Sequence, residues 1–205
     1  MSSATASSIT LKGSVAIVTE FFNYSINSIL YQRGIYPPET FRRVSKYGLT
    51  MLVTSDDALP PTASGYLDNV LTQLSSWLSD GTVQKLVVVV SAIATGETLE
   101  RWVFDVHTDA GAGAEGGANK SEKEVMGEIQ AAIMRQITAS VTFLPLLDDA
   151  CSFDLLVYTT DDVEVPRAWE ESDPKHIATS DEVKLRSFTT RIHRVDACVS
   201  YKADA

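Results

Sequence analysis

Four consecutive valines, residues 87–90, limit what this chain can fold into more than any other feature. Successive side chains of a strand point to opposite faces, so an unbroken valine run within 83–93 predicts a central strand buried on both sides. After a short turn at 94–97, residues 99–107 alternate. Leu99, Arg101, Val103 and Asp105 share one face, and Glu100, Trp102, Phe104 and Val106 share the other. So short a connection predicts an antiparallel hairpin.

The helices that would cover such a sheet are readable from their spacing. Over 10–31, Val15, Val18, Phe22, Ile26 and Ile29 form a stripe that Ile17 and Phe21 widen. A helix apolar on more than half its surface belongs in the middle of a domain. Gly34 and the Pro37-Pro38 pair stop it. Leu11 stands where the chain turns into this helix and reads as a hydrophobic staple. Residues 66–79, with Val70, Leu71, Leu74, Trp77 and Leu78 on one side, predict a second helix closed by Gly81. Residues 120–143 predict a third, because Ile129, Ile133, Ile137 and Val141 fall four apart. Pro145 forbids it to continue. An acidic turn at Asp148 and Asp149 then leads into 151–159, rich in Phe, Leu, Val and Tyr, which reads as a buried strand.

Between these elements, residues 38–41 predict a short turn or helical piece, 50–54 a short strand, and 56–65 a surface loop. The Gly/Ala-rich segment 109–118 is expected to be a flexible loop, and residues 1–8 a disordered terminus. Residues 161–205 differ in character: charged, broken by Pro166 and Pro174, with strand pieces expected around 176–177 and over 186–201. In the second piece Phe188, Thr190, Ile192 and Arg194 would oppose Thr189, Arg191, His193 and Val195. Such a tail reads as an arm packed on the surface of a finished core at 9–160.

A formal charge of −10 argues against a nucleic-acid or anionic-membrane surface and favours a basic partner segment. No run is long enough to span a membrane. Cys151 and Cys198 lack metal or redox spacing and read as core thiols of a reducing compartment. His107, His176 and His193 have no carboxylate or cysteine at ligand spacing and read as surface or strand histidines. No phosphate-cradling, nucleophile-elbow or zinc-protease motif is present. The chain is therefore expected to be neither an enzyme nor a cofactor carrier. What remains is an antiparallel sheet backed by helices, whose edge presents unpaired N–H and C=O groups. Either the chain's own tail or an added peptide strand can cover them.

The residues FFNYSINSILYQRGIYPPETF, VQKLVVVVSAIATGETLERWVFD, RQITASVTFLPLLDDACSFDLLVYT and VPRAWEES…EVKLRSFTTRIHRV carry a resemblance across 9–201. They resemble the spindle-assembly-checkpoint branch of the HORMA domain family, the mitotic-arrest-deficient-two family. The resemblance implies an α+β HORMA-type single domain at 9–205. Three helices pack on a mainly antiparallel sheet, with a mobile C-terminal safety belt at 161–205. In an open state the belt covers the edge strand at 151–159. In a closed state it moves to the other side of the sheet and locks a partner peptide against that edge.

The implied partners are a kinetochore coiled-coil checkpoint adaptor, the activator of the anaphase-promoting complex, and a checkpoint kinase-like complex member. A AAA+ ATPase with its HORMA adaptor would reopen the closed form. A second copy of the chain would form an open–closed dimer. The implied output is delay of anaphase, and the implied locations are nucleus, kinetochore and cytoplasm. An adaptor role in DNA repair or meiotic axis assembly is the alternative within the same fold, and an enzyme with an unrecognised site the alternative outside it.

The resemblance also implies roles for residues. Arg135, Gln136 and Phe143 match the self-association surface, and Arg33 and Glu100 match positions near it. On sequence alone Arg135 equally fits a solvated helix face, and Phe143 equally fits a core. Phe153, Leu155, Val157 and Tyr158 would lie on the peptide-accepting strand. Trp169, Phe188, Ile192, Val195 and Tyr201 would lie on the belt. Leu11 and Trp77 would sense the conformer, although a helix tryptophan also reads as core. Three departures stand out: an insertion around Pro60-Pro61, Ala197 where animal relatives carry a phosphorylatable serine, and a C-terminus shortened to YKADA.

Overall fold

The computed structural model describes residues 9–46, 49–55, 57, 59, 65–108, 121–130, 136–160, 163–190 and 192–203. Its centre is α1, Leu11–Gln32, in which Val18, Phe22, Ile26 and Ile29 are fully enclosed. Thr10 caps it, its hydroxyl accepting from the Gly13 N–H at 3.1 Å. Gly34, at φ 65°, ends it in the left-handed conformation that glycine adopts without strain. α2, Tyr66–Ser79, packs beside α1 and buries Val70, Leu71, Leu74, Trp77 and Leu78.

The expected hairpin forms from β3, Val83–Ala92, and β4, Thr98–Thr108. Val87 pairs with Val103 and Val88 with Trp102. Residues 86–90 of β3 are wholly buried, as a two-faced strand requires. On β4, Glu100, Trp102, Phe104 and Val106 are buried toward the helices, the face that alternation assigns to them. β5, Cys151–Thr159, pairs antiparallel with β3. The strand order is β5-β3-β4-β8-β6, where β6 is Ser180–Lys184 and β8 is His193–Lys202; β7, Phe188–Thr189, also pairs with β8. A separate hairpin of β1, Phe41–Lys46, and β2, Leu49–Thr54, stands against α1.

Several expectations are corrected. Of the third helix, α3 covers Glu122–Gln130, residues 131–135 lie outside the described residues, and beyond them a wider π-type turn at Gln136 and Ile137 leads into α4, Thr138–Ser140, so the helix stops short of 143. Ile129 and Ile137 of its stripe are buried, and Val141 is half-exposed. β1 forms where the sequence reading assigns no element. It escapes notice in the sequence because Arg42, Arg43, Ser45 and Lys46 leave no alternation to read.

No strand forms at His176 and Ile177. Lys175 adopts φ 54° there, with its N–H on Asp173 Oδ1 at 3.1 Å, and pairing resumes only at β6. The tail's second piece is not one strand but β7, a tight turn and β8. The turn inverts the alternation: Phe188 and Thr190 are buried before it, and His193, Val195 and Val199 after it. The arm is therefore not merely a surface layer, since Phe188, Val195 and Val199 join the main core. Leu11 does not act as a staple. It occupies the first helical position and is 46% exposed, while Ile9, before the cap, packs on the core. Cys151 and Cys198 are free and half-buried rather than core thiols. The expected loops at 56–65 and 109–118 and the terminus at 1–8 lie almost wholly outside the described residues.

Candidate functional site

β5 pairs on one side only among the described residues, so its other side is a free sheet edge. Its alternation sets two environments. Phe153, Leu155 and Val157 face the helix layer and its core, whereas Leu156 and Tyr158 face a smaller cluster with Val87, Val89 and Val103. Phe153 is held edge-on by Tyr36 and Tyr66, with centroids 6.0 Å from each. Burial pushes both tyrosine hydroxyls above their ordinary range. On the opposite face the Lys85 ammonium lies 5.8 Å from the Tyr158 ring centre and 3.2 Å from Asp105. β5 is thus firmly seated on its inner side, while its outer rim is unpaired among the described residues.

The chain leaves β5 at Thr160, whose N–H donates to Thr82 O at 3.0 Å. It then runs alongside as a belt. Trp169, set by a turn onto Pro166 O at 2.9 Å, packs edge-to-face on Trp77 of α2. Trp77 is itself buried at 5% exposure, so it is at once a core residue and the belt's contact. Between belt and strand lies a groove of about 310 Å³, lined by Trp77, Leu155, Val157, Val165, Trp169 and Glu170. Its walls mix apolar side chains with polar groups such as Thr159 and Ser172, and its rim carries the exposed Glu170 and Glu171. That chemistry suits an extended segment with apolar side chains facing inward and a basic residue at the rim.

The rest of the belt is fastened across the sheet. β8 pairs along β4 from Glu100↔Tyr201 to Thr108↔His193. Val195 is buried opposite Val106, and Phe188 lies 4.6 Å from the Phe21 ring centre. Ile192 is half-buried in the turn, and Tyr201 half-buried at the far end. Lys202 Nζ reaches Glu97 at 2.7 Å and Ala203 N–H reaches Thr179 O at 3.3 Å. Two strands, β3 and β4, therefore separate β8 from the rim of β5. This is the belt position that the resemblance assigns to a closed state.

The residues matched to self-association separate into distinct environments. Phe143 is 43% exposed, which places it on the surface rather than in the core. Arg135 lies outside the described residues. Gln136 is engaged by the belt: its Oε1 accepts from the Arg186 backbone N–H. Arg33 and Glu100 are buried and do not themselves offer a contact face. Their ion pair, 2.5 Å from Nη2 to Oε1, also takes in Trp102 Nε1 at 3.0 Å on Oε2 and Pro145 O at 2.5 Å on Nη2. Burial forces such a pair to satisfy its remaining hydrogen bonds internally. The pair thereby ties the segment after Phe143 to α1 and β4.

Sequence reasoning missed a buried polar cluster of Ser14, Thr190 and His193. A lone strand histidine gives no sign of it, because its partner stands 179 positions away. Among the described residues no three His, Cys, Asp or Glu side chains converge as a metal site.

With this geometry in place, the comparisons with known proteins are direct. The HORMA domain profile matches residues 14–193, and the chain belongs to the HORMA domain family. It is 64% identical over 199 residues to the mitotic spindle assembly checkpoint protein MAD2A of Dictyostelium discoideum, covering 97% of this chain and 96% of that one. Within the family, then, its place is with the MAD2 spindle-checkpoint proteins. A chain in the crystal structure of the mitotic checkpoint complex superposes with a TM-score of 0.81 at 43% identity, over 94% of this chain and all of that one. Caenorhabditis elegans HTP-2, solved bound to the HIM-3 closure motif, shares the fold at a TM-score of 0.75 and 14% identity, over 100% and 99% of the two chains.

Proposed function

We propose that the chain is a spindle-assembly-checkpoint clamp that binds a partner's extended segment as an added strand on the outer rim of β5, beneath the belt. One observation supports this reading: β8 sits on β4, so among the described residues the rim of β5 is unpaired while Trp169 and Trp77 close a groove beside it. An added strand gains a few backbone hydrogen bonds, each worth a net ~0.5–1.5 kcal/mol, against the cost of ordering a flexible peptide. A belt closed over the strand acts chiefly on the off-rate. Moving β8 breaks an entire ladder at once, so exchange between belt positions is slow.

The partners that fit are the kinetochore coiled-coil adaptor and the activator of the anaphase-promoting complex, each competing for the same rim. A checkpoint kinase-like complex member binds the assembled clamp, and a AAA+ ATPase with its HORMA adaptor reopens it. An open and a closed copy associate through Arg135, Gln136 and Phe143, with Arg33 and Glu100 bracing that surface from within. Leu11 and Trp77 respond to the belt's position. The protein acts by binding, without a catalytic step or cofactor, at kinetochores, in the nucleus and in the cytoplasm. Sequence identity of 64% to a checkpoint protein across nearly the whole chain favours this over a repair or meiotic adaptor.

Pull-down with the full chain tests the reading. Retention of adaptor and activator peptides, each displacing the other, is the expected result. Failure to retain either would overturn it. Arg135→Glu should abolish self-association and leave peptide binding intact, and equal loss of both would refute that assignment.

A further inference from the structure

The belt is fastened to the core by more than a ladder. His193, the first residue of β8, is wholly buried, as are Ser14 in the first turn of α1 and Thr190 after β7. The Ser14 hydroxyl lies 2.6 Å from His193 Nδ1 and 2.5 Å from the Thr190 hydroxyl. The same Thr190 oxygen accepts from the His193 N–H at 3.0 Å, and Thr190 N–H donates to His193 O at 2.8 Å. Three polar side chains from two ends of the chain thus satisfy one another where water does not reach. The remaining ring nitrogen, Nε2, is buried with no side-chain partner among the described residues. We propose that Ser14, Thr190 and His193 form the latch that retains the belt on β4, and that it holds only while the imidazole is neutral.

The surroundings explain the second half. The hydrogen-bonding neighbours of the ring are the Ser14 hydroxyl and the Leu78 backbone carbonyl, so a charged imidazole would be enclosed with no directly bonded counter-charge. Charged groups stand around the cluster: His107, Arg194 and Asp196 line a surface pocket that His193 also lines. Lys12 on α1, Asp80 after α2 and Arg194 on β8 are exposed. Asp196 is engaged by Arg194 at 3.0 Å and by His107 of β4 at 3.3 Å. Glu124 and Glu128 stand on α3, which packs against β7. Burial lowers the affinity of His193 for a proton, and the backbone carbonyl of Leu78 opposes that only in part. The sign follows. An undocked histidine titrates near its ordinary ~6.5, so below that pH the released belt binds a proton that the docked belt refuses, and docking weakens as pH falls. The His107–Asp196 pair lies on the outer side of the β4–β8 ladder, outside the enclosed cluster. It is exposed and screened.

The inference rests on the belt being the movable element, and its test needs no peptide. Hydrogen exchange on the full chain, corrected for intrinsic rates, is followed at β8 and at β3 between pH 7.5 and 5.5. In the unaltered protein, protection of β8 should fall by up to about tenfold at pH 5.5, with β3 unchanged. His193→Asn keeps a polar atom toward Ser14 but does not titrate, so its β8 protection should lose that fall. Ser14→Ala, which a helix accepts readily, should lower β8 protection several-fold at both pH values. Equal losses in β3 and β8 would mean a purely structural cluster and overturn the latch. So would a fall in β8 protection that persists in His193→Asn. Peptide binding on β5 is read separately, so neither failure imitates the other.

Discussion

Trp77 on α2 and Trp169 on the belt meet edge to face, with ring centroids 5.0 Å apart and planes inclined at 66°. One ring belongs to the core and the other to the tail segment that, in the proposed clamp, closes beside β5. An aromatic pair of this kind contributes ~0.5–1.5 kcal/mol beyond the area it buries. Trp169→Ala should therefore release a bound partner peptide several-fold faster, with little change in the association rate. Stopped-flow dissociation of a labelled adaptor peptide measures it, and an unchanged off-rate would remove Trp169 from the clamp.

The buried pair of Arg33 and Glu100 makes a sharper prediction about stability. Removing one partner leaves the other charge enclosed, which costs about 3–5 kcal/mol. Arg33→Met should lower the urea midpoint accordingly. Adding Glu100→Gln, which keeps an acceptor for Trp102 Nε1, should restore most of the loss. If Arg33→Met alone proved neutral, the pair would not be the brace behind Phe143.

Ala197 pairs with Phe104 in the β4–β8 ladder and packs against the core, while its carbonyl accepts from Leu185 N–H at 2.8 Å. A carboxylate there would be buried unpaired, so Ala197→Glu should drive the belt off β4. The adjacent Cys198 reports the event. Burial pushes its thiol up to about 11, so at pH 8 its thiolate fraction is roughly a hundredfold below that of a thiol titrating near 9. Alkylation of Cys198 should be slow in the unaltered protein and markedly faster in Ala197→Glu. Equal rates in both would show that β8 stays in place.

These features differ in how far the sequence reveals them, and the reasons are physical. The valine run, the alternation of β4 and the stripes of α1 and α2 are legible because each obeys one period over a long window. β1 is not, since a hairpin strand exposed on both faces has no apolar pattern to betray it. The alternation of β7 and β8 misleads because the turn at Thr190 and His193 exchanges inside for outside, as any change of register must. The resemblance places Arg33 and Glu100 near the self-association surface, but their burial depends on what folds over them, here the segment at Pro145. Ser14 and His193 meet only once the whole fold has formed.

The central claim is that the outer rim of β5 accepts a guest strand while β8 remains on β4. Residue-resolved hydrogen exchange of the full chain, with and without an adaptor peptide, tests it most directly. The account predicts new protection at the outward-facing amides of Cys151–Thr159, with the protection of His193–Lys202 retained. Peptide binding that left the β5 amides unprotected would contradict it.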